Sequence, residues 1–263
     1  MKPQRIFITG GASGLGFALA QICAKGGWQV CIGDRDIERG EAVIGSLQKW
    51  QPKAMFLPCD VTRMSDLEQV AKTLTEKWGG IDVVVNNAGV AQVGKISDTT
   101  LTDWQWIIDI NLLGVVRGCK VFTPLFKQQG SGHFVNIASM AGLLDVPNMS
   151  AYNATKAAVV SLSETLQNEL VKDNIHVTVV CPSFFKTNLN QGMRSTIDGI
   201  EQKVDKLMSS SKLNAVDIAR LIMKAVNKKK SHVLPHRQGR FAWYMKRWLP
   251  RSWYQKLLYS RIK

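Results

Sequence analysis

The sequence predicts a doubly wound α/β fold, in which a parallel sheet of about seven strands is covered by helices on both faces. Short runs rich in valine and isoleucine alternate with helix-length segments over most of the 263 residues. Strands that are apolar along their whole length are typical of a sheet buried on both faces. No internal repeat or low-complexity linker divides the chain, which is long enough for one large domain.

Predicted strands and helices alternate in a regular order. The strands are predicted at 5–9, 28–33, 54–58, 82–85, 133–137 and 176–180, with a shorter run at 231–234. The helices are predicted at 15–25, 36–48, 65–78, 103–128 and 151–172. Ligands of such sheets bind beyond the carboxyl ends of the strands, so the residues that follow the strands are the candidates for a functional site. We predict one domain over 1–238 and a basic, aromatic extension over 239–263.

Composition narrows the class of protein. The apolar fraction of 45% and the charged fraction of 21% are those of a globular chain. We expect no secretory signal, because the first residues run directly into an apolar strand, and no apolar run reaches the roughly 20 residues that a spanning helix needs. The five cysteines are scattered and odd in number, which indicates buried thiols in a reducing compartment. We expect a cytoplasmic protein without a metal site, and His232 and His236 as ordinary surface or loop residues.

A glycine-rich turn, Thr9-Gly10-Gly11-Ala12-Ser13-Gly14-Leu15-Gly16, follows the first predicted strand. Glycines let the backbone approach a pyrophosphate, and the start of the next helix favours its negative charge. The spacing is Gly-x-x-x-Gly-x-Gly, and an ordinary strand-to-helix turn is the alternative. Its place after the first strand favours phosphate binding. The candidate cofactor residues here are Gly10, Ser13, Gly14, Leu15 and Gly16.

Acidic and amide residues follow the next three strands. Asp34 ends the second strand, where a carboxylate accepts hydrogen bonds from the adenosine ribose and repels a 2′-phosphate, which favours NAD over NADP. Arg35 could face a phosphate, but the glycine turn supplies no second positive charge. Asp60, before Val61, is a candidate acceptor for the adenine amino group, with a capping role as the alternative. Asn87, Ala88 and Gly89 close the fourth strand, and a purely architectural turn is their alternative.

Ser139, Tyr152 and Lys156 are the candidate catalytic groups. Tyr152 and Lys156 are four residues apart and share one face of a predicted helix, while Ser139 ends the fifth strand. A tyrosine pKa of about 10 makes a poor base at neutral pH, but a neighbouring ammonium and a positive nicotinamide would lower that pKa. Tyr152 would then accept an alcohol proton as hydride leaves, or donate it in reverse, while Ser139 holds the oxygen. A Tyr-x-x-x-Lys pair alone is more often an exposed helix face.

Taken together, these motifs resemble those of the short-chain dehydrogenase/reductase family, which has a Rossmann-like fold. The matching features, over residues 5 to about 190, are Thr9–Gly16, Asp34, Asp60-Val61, Asn86–Gly89, Asn111, Ser139, Tyr152–Lys156 and Pro182–Thr187. The resemblance implies an NAD(P)-dependent oxidoreductase acting on an alcohol or a ketone. The alternative is a non-catalytic sensor or scaffold of the same fold, and the retained catalytic residues count against it.

The resemblance also implies roles that spacing alone does not. Asn111 would kink its helix and hold a water that connects Lys156 to solvent, and Lys156 would contact the nicotinamide ribose. The backbone around Pro182 and the Thr187 hydroxyl would orient the carboxamide. Ser183 and Phe185 are further candidate cofactor residues of this segment, and Ser183 stands where the family usually has glycine. A homodimer or homotetramer would form on the long helices at 103–128 and 151–172.

Residues 188–212 resemble the substrate loop of that family. They carry apolar residues at helical spacing, which as a pattern is more often ordinary packing. The predicted substrate contacts are Ser139, Leu143, Met149, Tyr152 and Met193. Leu144, Val146 and Pro147 would line the same cavity. We therefore expect an apolar alcohol or ketone as the substrate.

The net charge of +14 is concentrated near the end of the chain. Thirteen basic residues and no acidic one follow Asp217, which leaves about +1 for the first 217 residues. Two short helical segments there carry seven aromatic residues, and the second has Trp253, Tyr254, Leu257 and Leu258 at helical spacing. An anionic membrane surface at the inner face of a membrane is one interpretation, and packing on the body or on a partner subunit is another. Nucleic acid is disfavoured, and the aromatic residues argue against a simple solvated tail.

Overall fold

The structure, a computed structural model, describes residues 4–262, although the side chains of Asn188 and of residues 257–262 are not described. Residues 1–3 lie outside the described part of the chain. They belong to the segment from which the absence of a secretory signal was predicted. The predicted apolar positions Leu257 and Leu258 lie outside the described side chains.

Within residues 4–262, nine strands form two sheets. The strands are β1 (Arg5–Thr9), β2 (Gln29–Asp34), β3 (Met55–Pro58), β4 (Val83–Asn86), β5 (Gln92–Val93), β6 (Gly132–Ile137), β7 (Ile175–Val180), β8 (Arg194–Ser195) and β9 (His232–Val233). Seven of them form a parallel sheet in the order β3-β2-β1-β4-β6-β7-β9, so the predicted doubly wound sheet is confirmed. The direction of winding reverses between β1 and β4, which is where such sheets bind ligands. The small β5–β8 sheet was not predicted, since two-residue strands carry no apolar run.

In the part of the chain that the structure describes, ten α-helices connect or follow these strands. They are α1 (Gly14–Lys25), α2 (Ile37–Gln48), α3 (Met64–Trp78), α4 (Leu101–Ile108), α5 (Gly114–Gln129), α6 (Ser150–Leu170), α7 (Ile200–Ser209), α8 (Ala215–Asn227), α9 (Arg237–Trp248) and α10 (Arg251–Ile262). The single helix predicted at 103–128 is α4 and α5 joined by one π-helical turn at Asp109–Leu113. None of the described helices is long and apolar enough to cross a bilayer.

Alternating side chains of the strands build a core on each face of the sheet. In β1, Ile6 and Ile8 pack with helices α1 and α8, whereas Phe7 between them packs with α3, α5 and α6. On the second face the Phe7 and Phe122 ring centroids are 5.6 Å apart. With both faces buried, the carboxyl ends of the strands are held rigidly beside one another.

Candidate active site

A cavity of about 550 Å³ runs along the carboxyl ends of β1, β2, β4, β6 and β7. All the residues predicted to line the cofactor, catalytic and substrate site line this cavity except Gly16, Asn111, Leu143 and Pro147. The structure therefore brings residues from 10 to 193 in the sequence into one continuous site.

The glycine-rich turn forms one end of this cavity. Gly10 and Gly14 have φ angles of +62° and +54°, a conformation that favours glycine. A Cβ on Gly16 would lie 2.3 Å from the carbonyl oxygen of Gly10, so α1 packs too closely on the turn for any side chain there. The first turn of α1 holds no acidic residue, and the Ser13 side chain does not cap it. Its first backbone N–H groups therefore lack partners within the helix, and a dinucleotide pyrophosphate fits this end.

Asp34 lies at the end of β2 and lines the same end of the cavity. Its Oδ2 accepts a hydrogen bond from the Ala12 backbone N–H and its Oδ1 one from the Asp36 N–H, both at 3.1 Å. Arg35 lines this region as predicted, and so does Arg39, which is also paired with Asp36 at 3.3 Å. Arg35 is therefore not the single positive charge at this end, contrary to the prediction. The signal in the sequence was Arg39, four residues after Arg35 and in the first turn of α2. We call this region the adenosine end.

The turn after β4 is tied to the glycine-rich turn. The Thr9 hydroxyl accepts hydrogen bonds from the N–H groups of Asn87 (2.9 Å) and Ala88 (3.0 Å). The Asn87 amide donates to the carbonyl oxygens of Thr9 and Gly10 at 2.9 and 3.1 Å. Asn87 thus ties the two turns together, which is the architectural alternative considered for it, and it also lines the cavity. Thr9, which organises both turns, was quoted in the motif but not predicted as a site residue.

Asp60 closes a turn with Thr62 and does not cap a helix. Its Oδ1 accepts hydrogen bonds from the Thr62 N–H at 2.9 Å and from the Thr62 hydroxyl at 2.8 Å. Both Asp60 and Val61 line the cavity.

Tyr152 and Lys156 lie one turn apart on α6, and both are buried. The Lys156 Nζ donates a hydrogen bond to the Ile137 carbonyl oxygen at 3.0 Å and lies 5.8 Å from the centroid of the Tyr152 ring. Burial lowers the pKa of Lys156 to about 8. Burial raises the pKa of Tyr152, and a hydrogen bond with Ser139 opposes that rise. The predicted lowering of the Tyr152 pKa by Lys156 is therefore not found in the protein alone, because desolvation outweighs an ammonium that is engaged by β6.

Ser139 is fixed between the ends of β6 and β7. Its hydroxyl accepts a hydrogen bond from the Ala141 N–H at 3.1 Å and donates to the Pro182 carbonyl oxygen at 3.4 Å. Ser139 and Tyr152 both line the cavity, and the serine hydroxyl lies close enough to the tyrosine hydroxyl to oppose the rise of its pKa. The hydroxyls are positioned to hold one substrate oxygen between them.

Asn111 lies in the π-helical turn and is fully buried. Its Oδ1 accepts from the Val90 N–H at 2.8 Å, and its Nδ2 donates to the Val90 carbonyl oxygen at 2.9 Å and to the Thr155 hydroxyl at 3.4 Å. A Cβ on Gly89 would lie 3.1 Å from the Asn111 Oδ1 and 3.5 Å from the Lys156 Nζ. The Asn111 amide and the Lys156 ammonium therefore both lie close to Gly89. The role of Asn111 in holding a water stays a prediction.

The apolar end of the cavity is built from the β6–α6 connection and the substrate loop. Met149 and Met193 line it as predicted, together with Val204 and Met208 from α7. Leu143 does not: the structure packs its side chain into the core cluster of α3, α5 and α6. Sequence position alone could not predict this, because the segment makes a tight 3-10 turn at Met140–Gly142 that sends Leu143 away from the cavity.

The substrate loop is fastened to the body by Arg194. Its guanidinium pairs with Asp103 of α4 at 2.9 Å and stacks on the Trp106 ring, 4.1 Å from the centroid. Arg194 is also the residue of β8 that lies opposite Gln92 in the parallel pairing with β5. These contacts hold the loop over the cavity, and none of them was predicted.

His236 reaches the segment expected at the nicotinamide. Its Nδ1 accepts a hydrogen bond from the Ser183 N–H at 3.0 Å, and burial lowers its pKa. His236 is a loop residue before α9, as predicted, but its contact with Ser183 was not predicted. Thr187, at the other end of this segment, caps the following turn by accepting from the Leu189 N–H at 3.2 Å. Within residues 4–262, no three His, Cys, Asp or Glu side chains meet as metal ligands would.

Known proteins share this fold and much of this sequence. The family described as short chain dehydrogenase matches residues 4–198. An uncharacterized oxidoreductase of Staphylococcus aureus (strain MRSA252) is 30% identical over 223 residues, 85% of this chain and 90% of that protein. A short chain dehydrogenase/reductase from Burkholderia phymatum in complex with NAD has a TM-score of 0.88 at 28% identity, covering 93% of each chain. A short-chain dehydrogenase from Sphingobium yanoikuyae in complex with NADPH has a TM-score of 0.77 at 28% identity, covering 90% of this chain and 91% of that one. The chain therefore belongs to the short-chain dehydrogenase/reductase family of oxidoreductases.

Proposed function

We propose that the protein transfers a hydride between a nicotinamide dinucleotide and an apolar secondary alcohol or ketone, with Tyr152 as the general acid and base. The observation that carries this proposal is the convergence of Ser139, Tyr152 and Lys156 on one wall of a cavity whose other end is the glycine-rich turn. A bound dinucleotide would supply the hydride acceptor or donor.

The residues present account for the proton. In reduction, the Tyr152 hydroxyl gives its proton to the carbonyl oxygen as hydride reaches the carbonyl carbon, and in oxidation it takes the alcohol proton. Ser139, held by the Ala141 N–H, turns its hydroxyl hydrogen from the Pro182 carbonyl to the same oxygen and fixes the distance of that oxygen from the tyrosine. Lys156, with a pKa of about 8, is mostly protonated near pH 7 and stabilises the phenolate that remains after proton transfer.

The lining of the cavity supports an uncharged apolar substrate. Among the described residues that line it, the charged side chains lie at the adenosine end, with Lys156 the exception. The opposite end presents Val146, Met149, Met193 and Met208. Methionine side chains adapt to irregular ligand shapes, so the site suits a class of lipophilic molecules more than a single polar one.

Turnover of a panel of apolar ketones, followed as NADH absorbance, tests the proposal. Tyr152→Phe should lower kcat by about 10²- to 10⁴-fold while the NADH affinity, measured by fluorescence titration, is unchanged. Tyr254→Phe is the matched control, since Tyr254 is also a buried tyrosine but does not line the cavity. Full activity in Tyr152→Phe would refute the mechanism. NADH binding without turnover of any alcohol or ketone would favour the sensor or scaffold alternative.

We propose NAD as the preferred dinucleotide. The Asp34 carboxylate at the adenosine end supports NAD because it would repel a 2′-phosphate, while Arg35 and Arg39 are the competing groups. The ratio of kcat/KM for NADH and NADPH tests this, and Asp34→Ser should shift the ratio toward NADPH. A wild-type preference for NADPH would mean that the two arginines dominate.

We also propose a homodimer or homotetramer on the helices of 103–128 and 151–172, which are α4, α5 and α6, as the family resemblance implies. Light scattering on the eluting protein gives the mass, and a monomer at micromolar concentration would contradict it.

A further inference from the structure

Helix α9 carries aromatic side chains on the face that points away from the protein. Phe241, Tyr244 and Trp248 are 64%, 48% and 80% exposed. Their spacing of i, i+3 and i+7 places them on one line along the helix, which we call the aromatic stripe. Trp253, at the start of α10, is exposed as well. Large aromatic groups concentrated on an outer face are unusual in a soluble surface and mark an interaction site.

The opposite face of α9 is fixed on the wall of the cavity. Gly239 lies against Met140, where an added Cβ would be 3.0 Å from the Met140 Cγ. The Lys246 ammonium donates to the Leu143 carbonyl oxygen at 3.0 Å and pairs with Asp145 at 2.8 Å. Packing on the body, one of the interpretations of the tail, therefore explains this inner face. It leaves the stripe uncovered, because rolling the helix to bury the stripe would break these contacts.

Basic side chains accompany the stripe. Arg237, Arg240 and Arg247 are exposed on α9, and Arg251 and Lys256 are exposed on α10. Arg247 also lies 5.5 Å from the ring centroid of Trp243, a half-buried residue of α9 outside the stripe. Since no acidic residue follows Asp217, nothing within this segment neutralises these charges.

We infer that this face of α9 binds an anionic membrane surface, with the helix lying in the plane of the interface. Aromatic rings are stable at headgroup depth, and arginines beside them attract anionic lipid. A second copy of the chain would bring like charges together. A nucleic acid strand is usually held in a charged groove, whereas the stripe stands on the convex surface of a helix. A planar anionic surface matches both the charge and the shape, and the binding does not depend on the proposed catalytic activity.

Point variants test this better than truncation. A chain ending near Leu234 would lose His236, and with it the hydrogen bond to Ser183 at the cofactor site. The stripe variant combines Phe241→Ser, Tyr244→Ser and Trp248→Ser. Its matched control removes three exposed apolar side chains elsewhere, with Trp50→Ser, Ile96→Ser and Leu101→Ser.

The charge variant combines Arg237→Gln, Arg240→Gln and Arg251→Gln. Its control replaces Lys228, Lys229 and Lys230 by Gln, which removes the same charge from a place away from α9. Lys229 lines a hollow with Arg5, Asp82 and His133, at the amino ends of the strands. NADH affinity and the thermal midpoint report the folding of each variant.

The full chain should sediment with vesicles of phosphatidylcholine and phosphatidylserine, and much less with phosphatidylcholine alone. The charge variant should bind the anionic vesicles roughly 100-fold more weakly. The stripe variant should lose at least roughly tenfold. Both controls should bind like the wild type.

Four outcomes would overturn the inference. Wild-type protein that stays in the supernatant with anionic vesicles is the first, and a stripe variant that binds them as the wild type does is the second. The third is a lysine control that loses as much vesicle binding as the charge variant. That result would mean that vesicle binding depends on the net charge of the protein and not on the arginines beside the stripe. The fourth is a stripe variant that changes the oligomeric mass or oligonucleotide affinity and leaves vesicle binding intact.

Discussion

Replacing Lys156 with methionine is expected to abolish turnover. The replacement should also remove the free-energy cost of keeping a charged lysine buried in the folded protein. The Lys156 side chain is only 4% exposed, and burial lowers its pKa from 10.5 to about 8. At about 1.36 kcal/mol per pH unit, keeping this buried lysine protonated at neutral pH costs about 3 kcal/mol of folding free energy. Methionine has a similar length and carries no charge.

The hydrogen bond from Lys156 to the Ile137 carbonyl offsets part of that gain. A bond with a charged donor contributes about 1.5–3 kcal/mol, so the net stabilisation near pH 7 is expected to be about 0–2 kcal/mol. The change of the free energy of unfolding with pH isolates the effect of burial better than its value near pH 7 does. The folded-state pKa lies below the unfolded one, so between pH 8 and 10.5 the unfolded chain binds the additional proton. The wild-type free energy of unfolding should therefore gain about 3 kcal/mol from Lys156 across that window, and Lys156→Met should not.

Urea unfolding of the ligand-free proteins, followed by circular dichroism near pH 7 and about pH 10, measures this difference. Lys72→Met is the control, because Lys72 is an exposed lysine on α3. Other groups that titrate in the same range cancel when the two proteins are compared. If the stability difference between wild type and Lys156→Met is the same at both pH values, the burial argument is refuted.

Three further predictions test other contacts. Burial, with His176 and Lys229 adding to it, lowers the pKa of His133 from 6.5 to about 4. The free energy of unfolding should therefore drop by about 3 kcal/mol as the pH falls from 6.5 to 4, and His133→Gln should flatten that drop in urea titrations. Gly16→Ala should weaken NADH binding at least roughly tenfold in a fluorescence titration, because its Cβ meets the Gly10 carbonyl; Gly45→Ala, in open space on α2, should bind NADH normally. Arg194→Ala should raise the KM for ketone several-fold by loosening the substrate loop, with little change in NADH affinity, and an unchanged KM would contradict the fastening role.

Much of the fold and many of the site residues were predictable because their signals are local. Apolar runs mark six of the seven strands of the large sheet, the exception being the two-residue strand β9. The spacing of Tyr152 and Lys156 predicts a shared helix face whatever surrounds it. The pKa of Tyr152 was not predictable in this way. The direction of its shift depends on how deeply Tyr152 is buried and on where the Lys156 ammonium points. Both are properties of the packed structure.

The contacts that were missed join distant parts of the chain through backbone groups or single side chains. Ser183 and His236 are 53 residues apart, and the bond uses a backbone N–H that every non-proline residue carries, so no sequence pattern marks it. Arg194 and Asp103 are 91 residues apart, and they meet where β8 pairs with β5, the strand that precedes α4. Leu143 looked like a cavity residue from its position, and a three-residue turn decides otherwise.

The bond between Ser183 and His236 also affects how the protein is made. Synthesis proceeds from the amino end, and folding can begin on the sheet strands while later residues are still inside the ribosome. Strand β9 closes the sheet at 232–233, His236 follows it, and Lys246 reaches back to Leu143. A nascent chain that already holds Ser139, Tyr152 and Lys156 therefore lacks part of the wall around them until about residue 246 has emerged. The catalytic residues are translated well before the site that they serve can be completed.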